Sequence, residues 1–132
     1  MNYLIDTHLL IWSLMSPERI AGSHVSLLQN PLPKKYISSI SFWEISLKYG
    51  LGKLQLAGVT PEELVHAATG AGFSVLSVTT EELASSYRLE YISDHRDPFD
   101  RMLIWQCLKQ DLFMLTSDPY IREYASVGLR LA

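Results

Sequence analysis

Short apolar runs alternate with helical stretches along almost the whole of this chain. Residues 2–6, 36–39, 73–78 and 113–116 read as strands, each bounded by polar or turn-forming residues. Helical patterns lie between them, over 7–15, within 18–30, from Ser41 to about Tyr49, from Thr60-Pro61 to about Thr69, from Thr79-Thr80 to about Leu89, and over 98–110. Ser16-Pro17, Asn30-Pro31-Leu32-Pro33, Gly50 with Gly52, and Gly70 with Gly72 punctuate the series, while 51–56 reads as an irregular arm and 90–97 as a polar loop. A short helix from Asp118-Pro119 to about Tyr124 and an edge strand within 127–131 close it. Strands that alternate with helices predict an α/β fold: parallel strands with helices on both faces.

Such a sheet gathers the carboxyl ends of its strands along one edge, where open α/β folds place their sites. Acidic residues recur at that edge. Asp6 ends the first strand, Glu44 follows the second, Asp97 and Asp100 open the helix around Leu103, and Asp118 follows the fourth. Each has a structural explanation of its own. Asp6 is a fitting N-cap, Glu44 stands at capping-box spacing from Ser41, Asp97 and Asp118 precede prolines, and Asp100 suits a first helical turn. Together they say more, because the helices near 61 and 80 are capped by Thr with a trailing Glu, so this chain caps without Asp. Carboxylates crowded at one edge raise one another's pKa, and a divalent cation is the simplest group that holds them ionised. An all-oxygen donor set suits Mg²⁺, two of which, roughly 4 Å apart, can drive phosphodiester hydrolysis. Zinc fits poorly, with one Cys and with His8, His24, His66 and His95 lacking paired ligand spacing.

Other site classes score poorly, their motifs missing: there is no P-loop, dinucleotide glycine fingerprint or nucleophile elbow. A net charge of −3 argues against a general nucleic-acid coat protein but not against a nuclease, whose acids would be neutralised by metal. Trp12, Trp43 and Trp105 fall in apolar helical stretches and are expected in the core; Cys107 is expected as a small buried side chain. His24 and His66 are expected on helix faces, and His95 in the loop, with His8 and His95 in reach of the acidic edge. The single Cys points to a reducing, cytoplasmic compartment; the start lacks a basic leader, and no apolar run is long enough for a membrane span. One domain over 1–132 is the expectation from length.

Four blocks carry a family resemblance. Residues 3–12, YLIDTHLLIW, resemble the opening of PIN-domain proteins. Ser39-Ile40-Ser41-Phe42-Trp43-Glu44-Ile45-Ser46 with Lys48-Tyr49-Gly50-Leu51-Gly52-Lys53-Leu54 is similar to the second block of the VapC-type toxins among them. Residues 95–104, HRDPFDRMLI, and Leu115-Thr116-Ser117-Asp118 are similar to the third and fourth. The resemblance implies a three-layer α/β/α sandwich on a mainly parallel sheet of four to five strands. It implies a Mg²⁺- or Mn²⁺-dependent endoribonuclease that uses a metal-activated water, and a role as the toxin of a toxin–antitoxin pair. Its partners would be RNA, a cognate antitoxin and a second copy of itself. Asp6, Glu44, Asp100 and Asp118 fall on the family's acidic quartet. Asp100 takes the third place because it stands seven residues before the helix's small residue, here Cys107; Asp97 is an added acid, and either of the two could hold a second ion.

Around these ligands Thr7, Thr116 and Ser117 are expected to orient carboxylates or waters. Arg96 and Arg101 are expected to hold phosphate oxygens or to neutralise the carboxylates. Lys34, Lys35, Lys48 and Lys53 are candidates for guiding an RNA backbone. Two other readings stand beside this one: a catalytically silent PIN-like binding module, and another acid-rich phosphohydrolase such as a phosphatase. The phosphatases considered carry a second Asp two residues after the first, where this chain has His8.

Overall fold

The structure, a computed structural model, describes residues 1–132. Five strands form one sheet: β1 (Tyr3–Ile5), β2 (Lys35–Ser38), β3 (Ser74–Leu76), β4 (Phe113–Leu115) and β5 (Arg130–Leu131). Their order is β3-β2-β1-β4-β5 and every pairing is parallel. Tyr3 lies opposite Lys35 on one side and Phe113 on the other, so the strands start nearly level and Ile5, Ser38 and Leu115 end along one edge. The chain order reverses direction between β1 and β4, the switch point at which such sheets open a crevice.

Seven α-helices connect or follow the strands: α1 (Thr7–Met15), α2 (Gly22–Gln29), α3 (Ser39–Gly50), α4 (Pro61–Gly70), α5 (Thr80–Ser85), α6 (Pro98–Gln110) and α7 (Pro119–Arg122). The strand side chains alternate between two cores. Tyr3, Ile5, Ile37 and Leu115 pack with Leu9, Leu10, Leu64 and Ala68 on one face; Leu4 and Met114 pack with Leu103, Ile104, Cys107 and Tyr124 on the other. Sheet covered on both faces needs strands apolar on both sides, which is why these runs read as nearly continuous hydrophobic stretches. The result is the expected three-layer sandwich. No helix is long and apolar enough to cross a membrane.

Several local expectations change. The 73–78 strand pairs only over 74–76, and the helix begun at Thr80 gives way at Ser85 to a 3₁₀ turn over 86–88. α3 starts earlier than the sequence indicates: Ser38 is its N-cap, accepting from the Ile40 N–H, so Glu44 belongs to no capping box and sits inside the helix. Trp43 is not core: it is 60% exposed, its ring set edge-on to Phe99 at 5.2 Å, because the buried side of α3 is carried by Ile40, Ser41, Glu44 and Ile45. Trp12 and Trp105 are half-buried, and Trp105 Nε1 donates to the Ser85 hydroxyl at 3.1 Å. His24, expected on a helix face, is buried.

Candidate active site

Each acidic corner is built by a helix that begins where a strand ends. Asp6 is the N-cap of α1: Oδ1 accepts from the Leu9 N–H at 2.8 Å, while Oδ2 accepts the Thr116 hydroxyl. Thr116 Oγ1 also accepts from the Asp118 N–H at 3.0 Å. One hydroxyl thus ties the ends of the neighbouring strands β1 and β4 together. Asp118 caps α7 through the Tyr120 N–H at 2.8 Å. Asp97 caps α6, accepting from Phe99 and Asp100 N–H at 2.9 and 3.0 Å. Capping by these acids is therefore real, and it aims them: an N-cap carboxylate is held by one oxygen on the helix end, at the edge where the strands finish.

Glu44 does no capping. It projects from the second turn of α3, is 2% exposed, and leaves Oε1 buried with no hydrogen-bond partner. Its Oε2 meets Lys48 Nζ at 2.5 Å, one helical turn on. Burial alone would lower the Lys48 pKa, but the bond to Glu44 and the negative charges of Glu44, Asp97 and Asp100 raise it. That ammonium sits where three carboxylates focus negative potential.

Burial is also the main reason that Asp6 is raised above the ordinary carboxylate range; Asp118 adds to it, and the bonds from Thr116 and Leu9 and the charge of His8 oppose it. Asp100 is pushed up to about 6, first by burial and then by Asp97, with Asp118 and Glu44 contributing and a bond from His95 pulling back. Asp100 thus feels all of Asp97, Asp118 and Glu44, and Asp6 feels Asp118, so the five acids share one electrostatic neighbourhood.

They do not form a closed cage. No three acidic or imidazole side chains converge tightly enough to enclose an ion by themselves. The donor set still fits a hard divalent cation. All its atoms are carboxylate oxygens, one of them buried and unpartnered, and a lysine ammonium holds the position of positive charge. Mg²⁺ keeps several waters and takes one or two carboxylates, so it needs no full protein cage.

The supporting residues divide. Thr116 contacts a carboxylate as expected. Thr7 does not: its buried hydroxyl donates to Ser41 Oγ at 2.9 Å, joining α1 to α3 beside Asp6 and Glu44. Ser117 is exposed. Arg101, expected on phosphate or carboxylate, is a buried strut. It donates to the carbonyls of Leu89 (2.7 Å) and Glu90 (3.0 Å) and to the Tyr124 hydroxyl (2.9 Å), under the Tyr91 ring at 3.8 Å. Arg96 is exposed, and its guanidinium also lies over the Tyr91 ring, at 4.4 Å. Lys34 and Lys35 are at the start of β2, the end of the sheet opposite the acids, where they line a cavity of about 360 Å³ with Pro31 and Phe73. The chemistry lies elsewhere. Sequence reading assigned Lys48 to backbone guidance and missed its role as counter-charge, although its place four residues after Glu44 on one helix was a legible signal. It also missed Ser41 and Tyr124, whose partners are distant in the chain.

A pH dependence follows. The folded pKa of Asp100 lies above its unfolded value of 3.8, so the fold favours the protonated form. Its contribution is full below about pH 4 and is lost as pH rises through about 6. Thermal melts in chelator should therefore show stability falling across that window, and Mn²⁺ should raise the melting temperature at pH 7.5 by more than at pH 5. An equal Mn²⁺ effect at the two pH values would contradict this electrostatic picture.

Known proteins share this fold. No curated protein sequence matches the chain. Among solved structures, a chain of VapBC2 from Rickettsia felis, bound to a DNA fragment from its promoter, superposes with TM-score 0.65 at 15% identity, covering 100% of this chain and 98% of that one. A chain of DNA-bound VapBC from Salmonella typhimurium gives 0.64 at 20% identity, and one of VapBC-1 from nontypeable Haemophilus influenzae 0.62 at 17%, each covering 100% of this chain and 97% of its own. At these identities the likeness is one of fold. The family model of the PIN domain matches residues 3–127, nearly the whole length, and on that match the chain belongs to the PIN-domain family.

Proposed function

We propose that this protein is a divalent-metal-dependent endoribonuclease, the VapC-like toxin of a toxin–antitoxin pair. The observation that carries the reading is Glu44: a carboxylate only 2% exposed, with one oxygen unpartnered and the other on Lys48, its charge felt by Asp100. A fold has no structural use for a half-satisfied buried carboxylate, which costs stability. Such costs collect at functional sites.

Asp6, Glu44, Asp100 and Asp118, with Asp97, are the residues that would hold Mg²⁺ or Mn²⁺. When bound, such an ion supplies Lewis acidity at the scissile phosphate and lowers the pKa of a water. The chain's own part is positioning. Thr116 holds the Oδ2 of Asp6, the α1, α6 and α7 N-termini hold one oxygen of Asp6, Asp97 and Asp118, and Lys48 holds the Oε2 of Glu44 in an ion pair. RNA fits a site lying at the open edge of the sheet rather than in a closed pocket. The cognate antitoxin and a second copy of this chain are the partners proposed, in keeping with the VapBC assemblies that share the fold. A cytoplasmic location belongs to the same proposal.

Incubation of the purified protein with single-stranded RNA tests the activity. Cleavage is expected with Mg²⁺ or Mn²⁺, none in EDTA, and recovery when the metal is restored. Cleavage that persists in EDTA would reject the metal assignment. Turnover of small phosphate esters with RNA left intact would move the protein to another class of phosphohydrolase.

A further inference from the structure

His95 is a buried imidazole in an otherwise polar loop, and both its nitrogens are engaged. Nε2 lies 3.2 Å from Asp100 Oδ2, and Nδ1 lies 3.0 Å from the Tyr124 hydroxyl. The direction of the chain of bonds can be worked out from its far end. Arg101 has only donors to offer, so the Tyr124 oxygen accepts from it at 2.9 Å. Tyr124 is fully buried, and its own proton needs an acceptor. His95 Nδ1 is the acceptor in reach. Nδ1 therefore carries the lone pair, and the imidazole proton sits on Nε2, pointing at Asp100. The ring plane is also held: Tyr120 stacks parallel to it, 2° off at 5.8 Å between centroids, and Tyr124 meets it edge-on at 5.5 Å.

We propose that the Arg101–Tyr124–His95 relay is a positioning device that locks His95 as the Nε2–H tautomer and so fixes the Asp100 carboxylate for cation binding. The proposal rests on the metal reading above. It assigns His95 and Tyr124 a purpose that packing alone does not supply. A carboxylate with one oxygen held by an N–H donor presents the other in a set direction, and partners of this kind set ligand orientation in metal sites. Tyr124 contacts no carboxylate, yet its hydroxyl occupies Nδ1 and so leaves Nε2 as the nitrogen that donates to Asp100.

The tautomer is tested on the metal-free protein, apart from any activity, by ¹⁵N NMR of the imidazole. One nitrogen at the shift of a protonated Nε2 and one at that of an unprotonated Nδ1 are expected, and the opposite tautomer would overturn the proposal. With Asp100 alone left to favour Nε2–H, Tyr124→Phe should admit a measurable share of the other tautomer; an unchanged single Nε2–H form would show that Tyr124 does not control the ring. Calorimetric titration with Mn²⁺ then tests the consequence. His95→Ala should bind about 10- to 100-fold more weakly than the unaltered protein, the range typical of lost partners of a ligand. His95→Gln, which can still reach Asp100 with an N–H, should recover most of the loss. Unaltered Mn²⁺ affinity in a folded His95→Ala protein sinks the positioning role while leaving the metal reading in place. If the unaltered protein binds no Mn²⁺ although the expected tautomer is seen, the metal reading fails, and the role given to Asp100 fails with it.

Discussion

Asp6→Asn is expected to abolish RNA cleavage while leaving the protein at least as stable as before. The two halves of that result come from one fact, the burial of Asp6 at 3% exposure. Asparagine keeps an oxygen for the Leu9 N–H, so the α1 cap survives. The fold already disfavours the charged form of Asp6, chiefly through burial, so a neutral isostere removes an unfavourable charge. What it cannot supply is the second anionic oxygen that a cation requires. Cleavage should fall by more than about a hundredfold, beyond the cost of losing a mere supporting partner of a metal ligand. Paired thermal melts in chelator and RNA cleavage assays in Mg²⁺ read both quantities. Asp6→Ala is the contrast: it also loses the cap, at about 1 kcal/mol, and should melt lower. Cleavage at the original rate by Asp6→Asn would remove Asp6 from the site altogether.

Arg101→Met is expected to fail in the opposite way, through stability. The guanidinium serves three buried or half-buried acceptors, the Leu89 and Glu90 carbonyls and the Tyr124 hydroxyl. Methionine fills much of the stem's volume and donates to none of them. Acceptors left without partners cost about 1–3 kcal/mol each. Because solvent can reach Glu90, a total of about 3 kcal/mol is reasonable, or roughly 10 °C in melting temperature for a chain of this size. Chemical denaturation would measure it. Had Arg101 been a phosphate-holding residue, as its place beside Asp100 in the sequence invites, the variant would keep its stability and lose substrate affinity instead. Arg101→Lys separates charge from geometry: a single ammonium cannot span the three acceptors, so it too should be destabilised.

The difference between these two residues shows what local pattern can and cannot reveal. Asp6 was readable because its position depends on neighbours in sequence: an apolar strand before it, a helix after it, and the rule that parallel strands share a carboxyl edge. Asp97 and Asp118 were readable in the same way, each one residue before a proline that opens a helix. Arg101 was not. It stands on the buried side of α6, and its partners come from the loop at 89–90 and from a 3₁₀ turn over Glu123–Val127, both brought to it only by the fold. Trp43 errs for a related reason. Apolar residues surround it in sequence, but α3 has to turn Glu44 and Ser41 inward, and that rotation puts Trp43 outside.

The parallel α/β architecture and the identity of the acidic edge were already written in the order of residues, because strand and helix periods, caps and turn residues act over a few positions. The pairing of Thr116 with Asp6 across 110 residues, of Thr7 with Ser41 across 34, and of His95 with Tyr124 across 29 could come only from the folded chain. Those contacts depend on which strands become neighbours and how the helices roll on them, and side chains carry no local mark of either.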